Sequence, residues 1–333
     1  MSKKTVEESV EVVHPLIMSQ KVGDSFIGVY YVESAYVKLT QQQKEYTDLM
    51  LRDKSGARNI KYWGKVDGLA SGDFVLVQAR VDEYQGAPSM VAKTMEKVEE
   101  PDDLTDYVAS FDNLTDYESR LALLVETVVK LEAQEQESTC TLILGEAFNQ
   151  AGAFWQRFVS SPASDSPYYG RTGGLLVSTV TVAENALAIS ERYGFSDMEK
   201  ALLVTSALLH RFGAVDAFGF ENCMPKVTKK GMLIGVENLT FNRLSTIVRK
   251  VSSDSKTNGK SVSQDSILRV LHAVSSYLEK STKPMTREAI ILASVAKVDG
   301  AIVEAFNFIE SDLNTNEEFT AYDTRAGRKY YRG

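Results

Sequence analysis

LMLRDKSGARNIKYW, running from Leu49 to Trp63, reads as two strands folded about a turn. Leu49 and Leu51 alternate with Asp48 and Met50, and the run stops at Asp53-Lys54-Ser55-Gly56, which ends on a glycine. Beyond the turn Ile60 and Tyr62 point one way, while Asn59, Lys61 and Trp63 point the other. This pattern predicts a hairpin with one apolar face and an opposite face on which a tryptophan and a lysine stand together.

Outward from this hairpin, Asp73 to Glu83 and Ser89 to Lys97 alternate in the same way and flank the turn Tyr84-Gln85-Gly86. About five strands between Val22 and Val98 fit a small closed barrel of the OB type. The barrel domain is therefore placed at 21–100, after an N-terminal extension at 1–20. Glu99-Glu100-Pro101-Asp102-Asp103, charged and broken by proline, suits a boundary.

Helical spacing follows. Leu121, Leu123, Leu124, Val128 and Leu131 are expected on one stripe, and Ala147 to Val159 and Thr179 to Tyr193 read as further helices. Met198 to His210 is apolar almost all round and predicts a central buried helix. Ile267 to Leu278 and Arg287 to Ile309 supply two more, separated by Lys280-Ser281-Thr282-Lys283-Pro284. The expected class is α+β multidomain: the barrel, a helical linker region at 101–160, an all-α domain at 161–315 and a basic-aromatic tail at 316–333.

With 333 residues and 44% hydrophobic content, the chain can bury two ordinary cores. A net charge of −8 confines any nucleic-acid contact to a local basic patch. Cys140 and Cys223 are too few for a disulfide framework or a cysteine zinc site and suit a reducing compartment. No stretch has the length of a signal-peptide core or a membrane span, so a cytoplasmic protein with no membrane partner is expected.

Candidate binding residues cluster in two places. On the hairpin, Asn59, Lys61 and Trp63 suit base stacking beside a phosphate-facing ammonium, with Arg52, Lys54 and Arg58 around the turn and Tyr84 in a nearby loop. Trp63 could equally pack on the helical linker, and the turn cations could be merely solvated. In the tail, Arg325, Arg328, Lys329, Tyr330 and Tyr331 combine cations with aromatics; a solvated terminus or an oligomer contact is the other reading. Gly173-Gly174 suits either a phosphate at a helix start or close helix packing.

Five segments in order carry a resemblance. They are Leu49 to Trp63 with VDEYQGAPSM (Val81 to Met90), then Ser161-Pro162-Ala163 with YYGRTGGLLVSTV (Tyr168 to Val180), ALLH (Ala207 to His210), MLIGVENL (Met232 to Leu239) and KVDGAIVEAF (Lys297 to Phe306), with AYDTRAGRKYYRG at the end. The chain resembles the YhaM-type exoribonucleases, an OB-fold followed by a helical HD domain, which degrade RNA or single-stranded DNA from the 3' end. The resemblance implies that 161–315 is an HD-type domain and that metal ligands belong at positions held here by Ser178, Arg211, Gly231 and Ala296. His210 alone is kept, next to Arg211 where the family has an aspartate, and Asp299 remains nearby. Such a site holds divalent cations through imidazoles and carboxylates.

The expected function is single-stranded RNA or DNA binding, with an HD-like domain that does not catalyse and no cofactor. A diverged 3'-5' exonuclease or phosphohydrolase, using Mn or Mg, is the alternative. A third reading makes both domains protein-binding or assembly modules, with homo-oligomers or protein partners. His210 is either a remnant ligand or a packed, capping histidine, and Arg211 either binds an anion or pairs with Asp216 or Glu237.

Overall fold

The computed structural model describes residues 15–40, 42–84, 87–135, 137–258, 261–278, 282–311 and 317–332. The chain divides into two compact units, Met1–Ala109 and Ser110–Gly333. The expected turn residues Gln85, Gly86, Lys280 and Ser281, and most of the extension 1–20, lie outside the described residues.

In the first unit β1 (Ser25–Leu39), β2 (Glu45–Asp53), β3 (Gly56–Tyr62), β4 (Phe74–Tyr84) and β5 (Ala87–Val98) close a barrel in the order β1-β2-β3-β5-β4. Neighbours are antiparallel except β3 and β5. This is the five-stranded OB arrangement. A register shift between Val32 and Ser34 divides the long β1, whose first half pairs with β4 and whose second half pairs with β2. Tyr30, Leu49, Leu51, Ile60, Val75, Val77 and Met90 fill the interior.

Residues 15–20, ahead of β1, are tied to the barrel. Ile17 is fully buried and its N–H donates to Asp53 Oδ2 at 2.6 Å. The Tyr30 hydroxyl donates to the Pro15 carbonyl at 2.6 Å, and Arg58 Nη1 to the Gln20 carbonyl at 2.8 Å. Residues beyond 100 stay with the barrel as well: the Tyr107 ring lies 4.9 Å from Phe74, and the Lys54 N–H donates to the Asp106 carbonyl at 2.7 Å.

The second unit is helical, built from α1 (Leu114–Glu135), α2 (Thr139–Ala147), α3 (Ala153–Ser160), α4 (Gly174–Arg192), α5 (Asp197–Leu209), α6 (Ala214–Ala217), α7 (Lys229–Ile234), α8 (Val236–Asn258), α9 (Gln264–Ser276) and α10 (Arg287–Ser311). A two-stranded hairpin, β6 (Phe218–Glu221) and β7 (Met224–Val227), interrupts them. α5 is central as expected: it starts on a capping box of Ser196 and Glu199, every residue from Ala201 to Leu209 is buried, and α1, α4, α9 and α10 pack on it.

Two expectations are corrected. Leu123 is 60% exposed while Leu121, Leu124 and Val128 are buried, because residues two apart on a helix face nearly opposite ways. Ala147 to Val159 is not one helix: α2 stops at Ala147, and Gly152, extended at φ −89° and ψ 146°, precedes the start of α3. Gly173-Gly174 serves close packing. Gly173 has φ +82° and a Cβ there would meet Leu114 Cδ2 at 2.2 Å, while one on Gly174 would meet the Tyr169 carbonyl oxygen at 2.1 Å. No helix among the described residues is long and apolar enough to cross a membrane.

Candidate functional site

Strand register assembles the outer face of the barrel. Tyr36 of β1, Asp48 of β2 and Lys61 of β3 lie in one row across the sheet, and Lys38 and Tyr46 pair in the next. Trp63, just past β3, sets its ring 5.3 Å from that of Tyr46. Lys61 Nζ lies 5.8 Å from the Tyr84 ring at the end of β4. Tyr36, Trp63 and Tyr84 are 63%, 59% and 62% exposed, which is unusual for side chains of this size and gives flat surfaces open to a stacking partner.

The charges of this face are organised around Asp48. Part-burial alone would raise its carboxyl pKa, but hydrogen bonds from Lys38 and Asn59, with the charges of Lys38 and Lys61, hold it below the ordinary carboxylate range. The bond to Asp48 in turn raises Lys38 above the usual lysine value. Asn59 Nδ2 donates to Asp48 Oδ1 at 2.7 Å and to the Leu49 carbonyl at 3.2 Å, so its amide holds the aspartate in place.

The turn cations sit elsewhere and have internal partners. Arg52 pairs with Glu33 at 3.0 Å, Lys54 with Asp106 at 2.6 Å, and Arg58 serves the carbonyls of the segment before β1. Reading the hairpin alone missed Tyr36, Lys38 and Tyr46. The alternation Ser34, Tyr36, Lys38 was the available signal, but it acquires meaning only once β1 is registered on β2.

The C-terminal residues are folded rather than trailing. Asp323 is buried, accepts N–H bonds from Arg325 and Ala326 at 2.8 and 3.1 Å, and shapes a turn in which its own N–H donates to the Arg328 carbonyl at 2.8 Å. Phe319 bridges to Tyr331, and Tyr330 packs on Phe308 of α10 with rings 5.8 Å apart. Arg325, Arg328, Lys329 and Tyr331 point into solvent.

In the helical unit His210, Arg211, Ala296 and Asp299 line a cavity of about 310 Å³ together with Tyr169 and Tyr277. Ser178 is buried beside Tyr169, whereas Gly231 is not among the lining residues: a Cβ there would meet the Ala217 carbonyl oxygen at 2.3 Å. His210 is buried against Tyr277, and burial pushes its pKa from the usual 6.5 down to about 3. Its Nδ1 is 2.6 Å from the Ala207 carbonyl, which can only accept, so Nδ1 carries the proton. Arg211 donates to the Ala163 carbonyl, not to Asp216, which Arg157 and Arg243 occupy. Burial raises the Asp299 carboxyl, which accepts from the Tyr169 hydroxyl at 2.9 Å.

Divalent cations need several neutral imidazoles or carboxylates converging on one point. Among the described residues no group of three or more His, Cys, Asp or Glu side chains is arranged to hold one. Around His210 the donors do not fit a divalent metal, since a guanidinium and the methyl of Ala296 share the cavity.

The fold and outer face define an OB-type barrel joined in one chain to a helical unit, and comparison with known proteins gives this a direction. Over 296 residues the chain is 21% identical to the 3'-5' exoribonuclease YhaM of Bacillus subtilis, covering 85% of this chain and 87% of that protein. YhaM of Bacillus velezensis matches at 21%, over 86% and 88%. These matches support a distant YhaM-like relationship across both units. No family model matches. A domain of replication protein A from Methanococcus maripaludis, 20% identical, covers 26% of this chain and 98% of its own at a TM-score of 0.24. The second OB-fold domain of replication protein A from the same organism, 15% identical, covers 27% and 100% at 0.23.

Proposed function

We infer that this protein binds single-stranded nucleic acid, RNA or DNA, across the outer face of β1, β2 and β3. The observation that carries this reading is the exposed lattice in which Tyr36, Trp63 and Tyr84 present open rings beside Lys61 and Lys38. Bases stack on such rings whatever their sequence, at about 1–3 kcal/mol each, while ammonium groups meet the backbone phosphates. Arg52 and Arg58 act in this reading as ties within the barrel. Arg325, Arg328, Lys329 and Tyr331 offer a second, sequence-indifferent contact.

The helical unit is read as a scaffold without hydrolytic chemistry, on the ground that the donors around His210 suit no divalent cation. Relationship to proteins named as 3'-5' exoribonucleases favours a second reading, a diverged nuclease. Labelled single-stranded RNA and DNA incubated with Mn²⁺ or Mg²⁺ separates the two: the first expects full-length strands, and the second a ladder shortened from the 3' end. Fluorescence anisotropy with short labelled strands tests the binding itself. Affinity should fall as salt rises, and failure to bind at low salt would discard the proposal.

A further inference from the structure

α10 carries one apolar stripe along most of its length. Ile291, Val295, Val298, Ile302, Ala305 and Ile309 follow one another at alternating spacings of four and three, the repeat with which a helix keeps one face against another helix. Both ends of the stripe are covered. Ile291 and Val295 are buried in the core of the helical unit. At the last turn the C-terminal residues lie over the helix, Tyr330 packing on Phe308 and Arg332 Nη1 donating to the Ile309 carbonyl at 3.4 Å. Between the two ends the stripe is open: Val298 is 58% exposed and Ile302 51%. A helix that only covers its own core turns polar residues outward. Ser294 and Ala301, both exposed, flank these two and are short enough to let a second helix come close.

The charges beside the open stretch indicate what covers it. Lys297 and Glu304 lie seven residues, about two turns, apart on one edge of the exposed face. Neither forms an ion pair among the described residues. In a two-fold pair the same patch serves on both copies, so that where one residue meets a second, the second meets the first. With the axis beside Ala301, a second α10 runs antiparallel to the first, and Lys297 of each copy stands opposite Glu304 of the other. A parallel pairing sets Lys297 against Lys297 and Glu304 against Glu304, which is repulsive.

We propose that the open face of α10 is the contact through which two copies of this chain form an antiparallel two-fold dimer. Val298 and Ile302 are buried at its centre, and two Lys297–Glu304 pairs lie at its edge. The assembly carries two barrels, and it stands whether or not their outer faces bind nucleic acid.

Sedimentation equilibrium of the full chain, cleared of nucleic acid, tests the proposal. A mass near twice the 36.9 kDa of one chain is expected. The V298E/I302E double variant, which alters exposed side chains only, should raise the dissociation constant about tenfold or more with the helical circular dichroism unchanged. K297E alone and E304K alone should each weaken pairing about threefold, and K297E/E304K should restore it, because the swap re-forms both pairs in reverse. A monomer at every concentration, a dimer indifferent to V298E/I302E, or a double charge variant no tighter than its singles would overturn the proposal. Should V298E/I302E lose its helical signal, the charge variants decide alone.

Discussion

On the outer face of the barrel the lysines beside aromatic rings face water or a carboxylate, whereas beside His210 a part-buried guanidinium donates to a carbonyl oxygen in a cavity it shares with Asp299 and Glu237. The first surface is broad, flat and electrostatically settled around Asp48. The second is narrow and lined by charges of both signs. A long, flexible partner that is held by many weak contacts suits the first, whereas the second has room only for a small molecule.

Four perturbations sharpen or break this contrast. Leu203, fully buried in α5, carries the helical core, and Leu203→Ala should lower stability by about 2–5 kcal/mol, read from the fluorescence of the buried Trp155 during urea unfolding. A loss below about 1 kcal/mol would remove α5 from its central role.

Acid should separate the two regions next. Folded His210 refuses a proton down to about pH 3, while in the unfolded chain it takes one below about 6.5. Above pH 6.5 neither state is charged there, and below it stability falls as the unfolded chain gains the proton. The expected loss is about 2 kcal/mol at pH 5, and His210→Gln should remove it. The shifted carboxyls of the barrel, Asp48 and Asp73, lie below the ordinary value, so their stabilisation is lost only as pH falls through those lowered values. Circular dichroism between pH 7 and 4 should therefore show the helical signal weakening. Equal stability at pH 7 and 5 would contradict the buried, neutral histidine.

Replacing Lys61 and Trp63 together by Ala should weaken single-strand binding about tenfold, and more steeply at low salt, by anisotropy. The smallest effect belongs to Asp48→Asn, which releases Lys38 and should tighten binding about threefold, since one anionic group leaves a face meant for phosphates. Weaker binding would mean that Asp48 orders the lysines rather than opposing them.

Much of the barrel was legible because period-two alternation is a local property: Leu49, Leu51 and Ile60 declare the interior without reference to anything distant. The buried helix α5 was legible for the same reason. What could not be read was pairing across distance. Tyr36 joins Lys61 only through Asp48, and Arg52 finds Glu33 across a strand boundary that the hairpin does not contain. The small β6–β7 hairpin and the long α8 also escaped notice, the latter because its exposed polar length dilutes the apolar stripe. Around His210 the residue types could be placed through the family resemblance. That Arg211 would turn to Ala163 and leave Asp216 to Arg157 and Arg243 depended on helix packing that no local pattern encodes.

The buried Asp53 carboxylate, which accepts from the Ile17 N–H, makes the barrel portable only as a unit with its leading strap. Cutting it out at the first residue of β1 would remove one hydrogen-bond partner from each of three polar groups: Asp53, the Tyr30 hydroxyl and the Arg58 guanidinium. Each lost hydrogen bond would cost about 0.5–1.5 kcal/mol, together a sizeable part of the stability a domain of this size possesses. Any recombination that moves this barrel between proteins must therefore carry the chain from Pro15 onward, so the natural exchange boundary lies ahead of the sheet rather than at its edge.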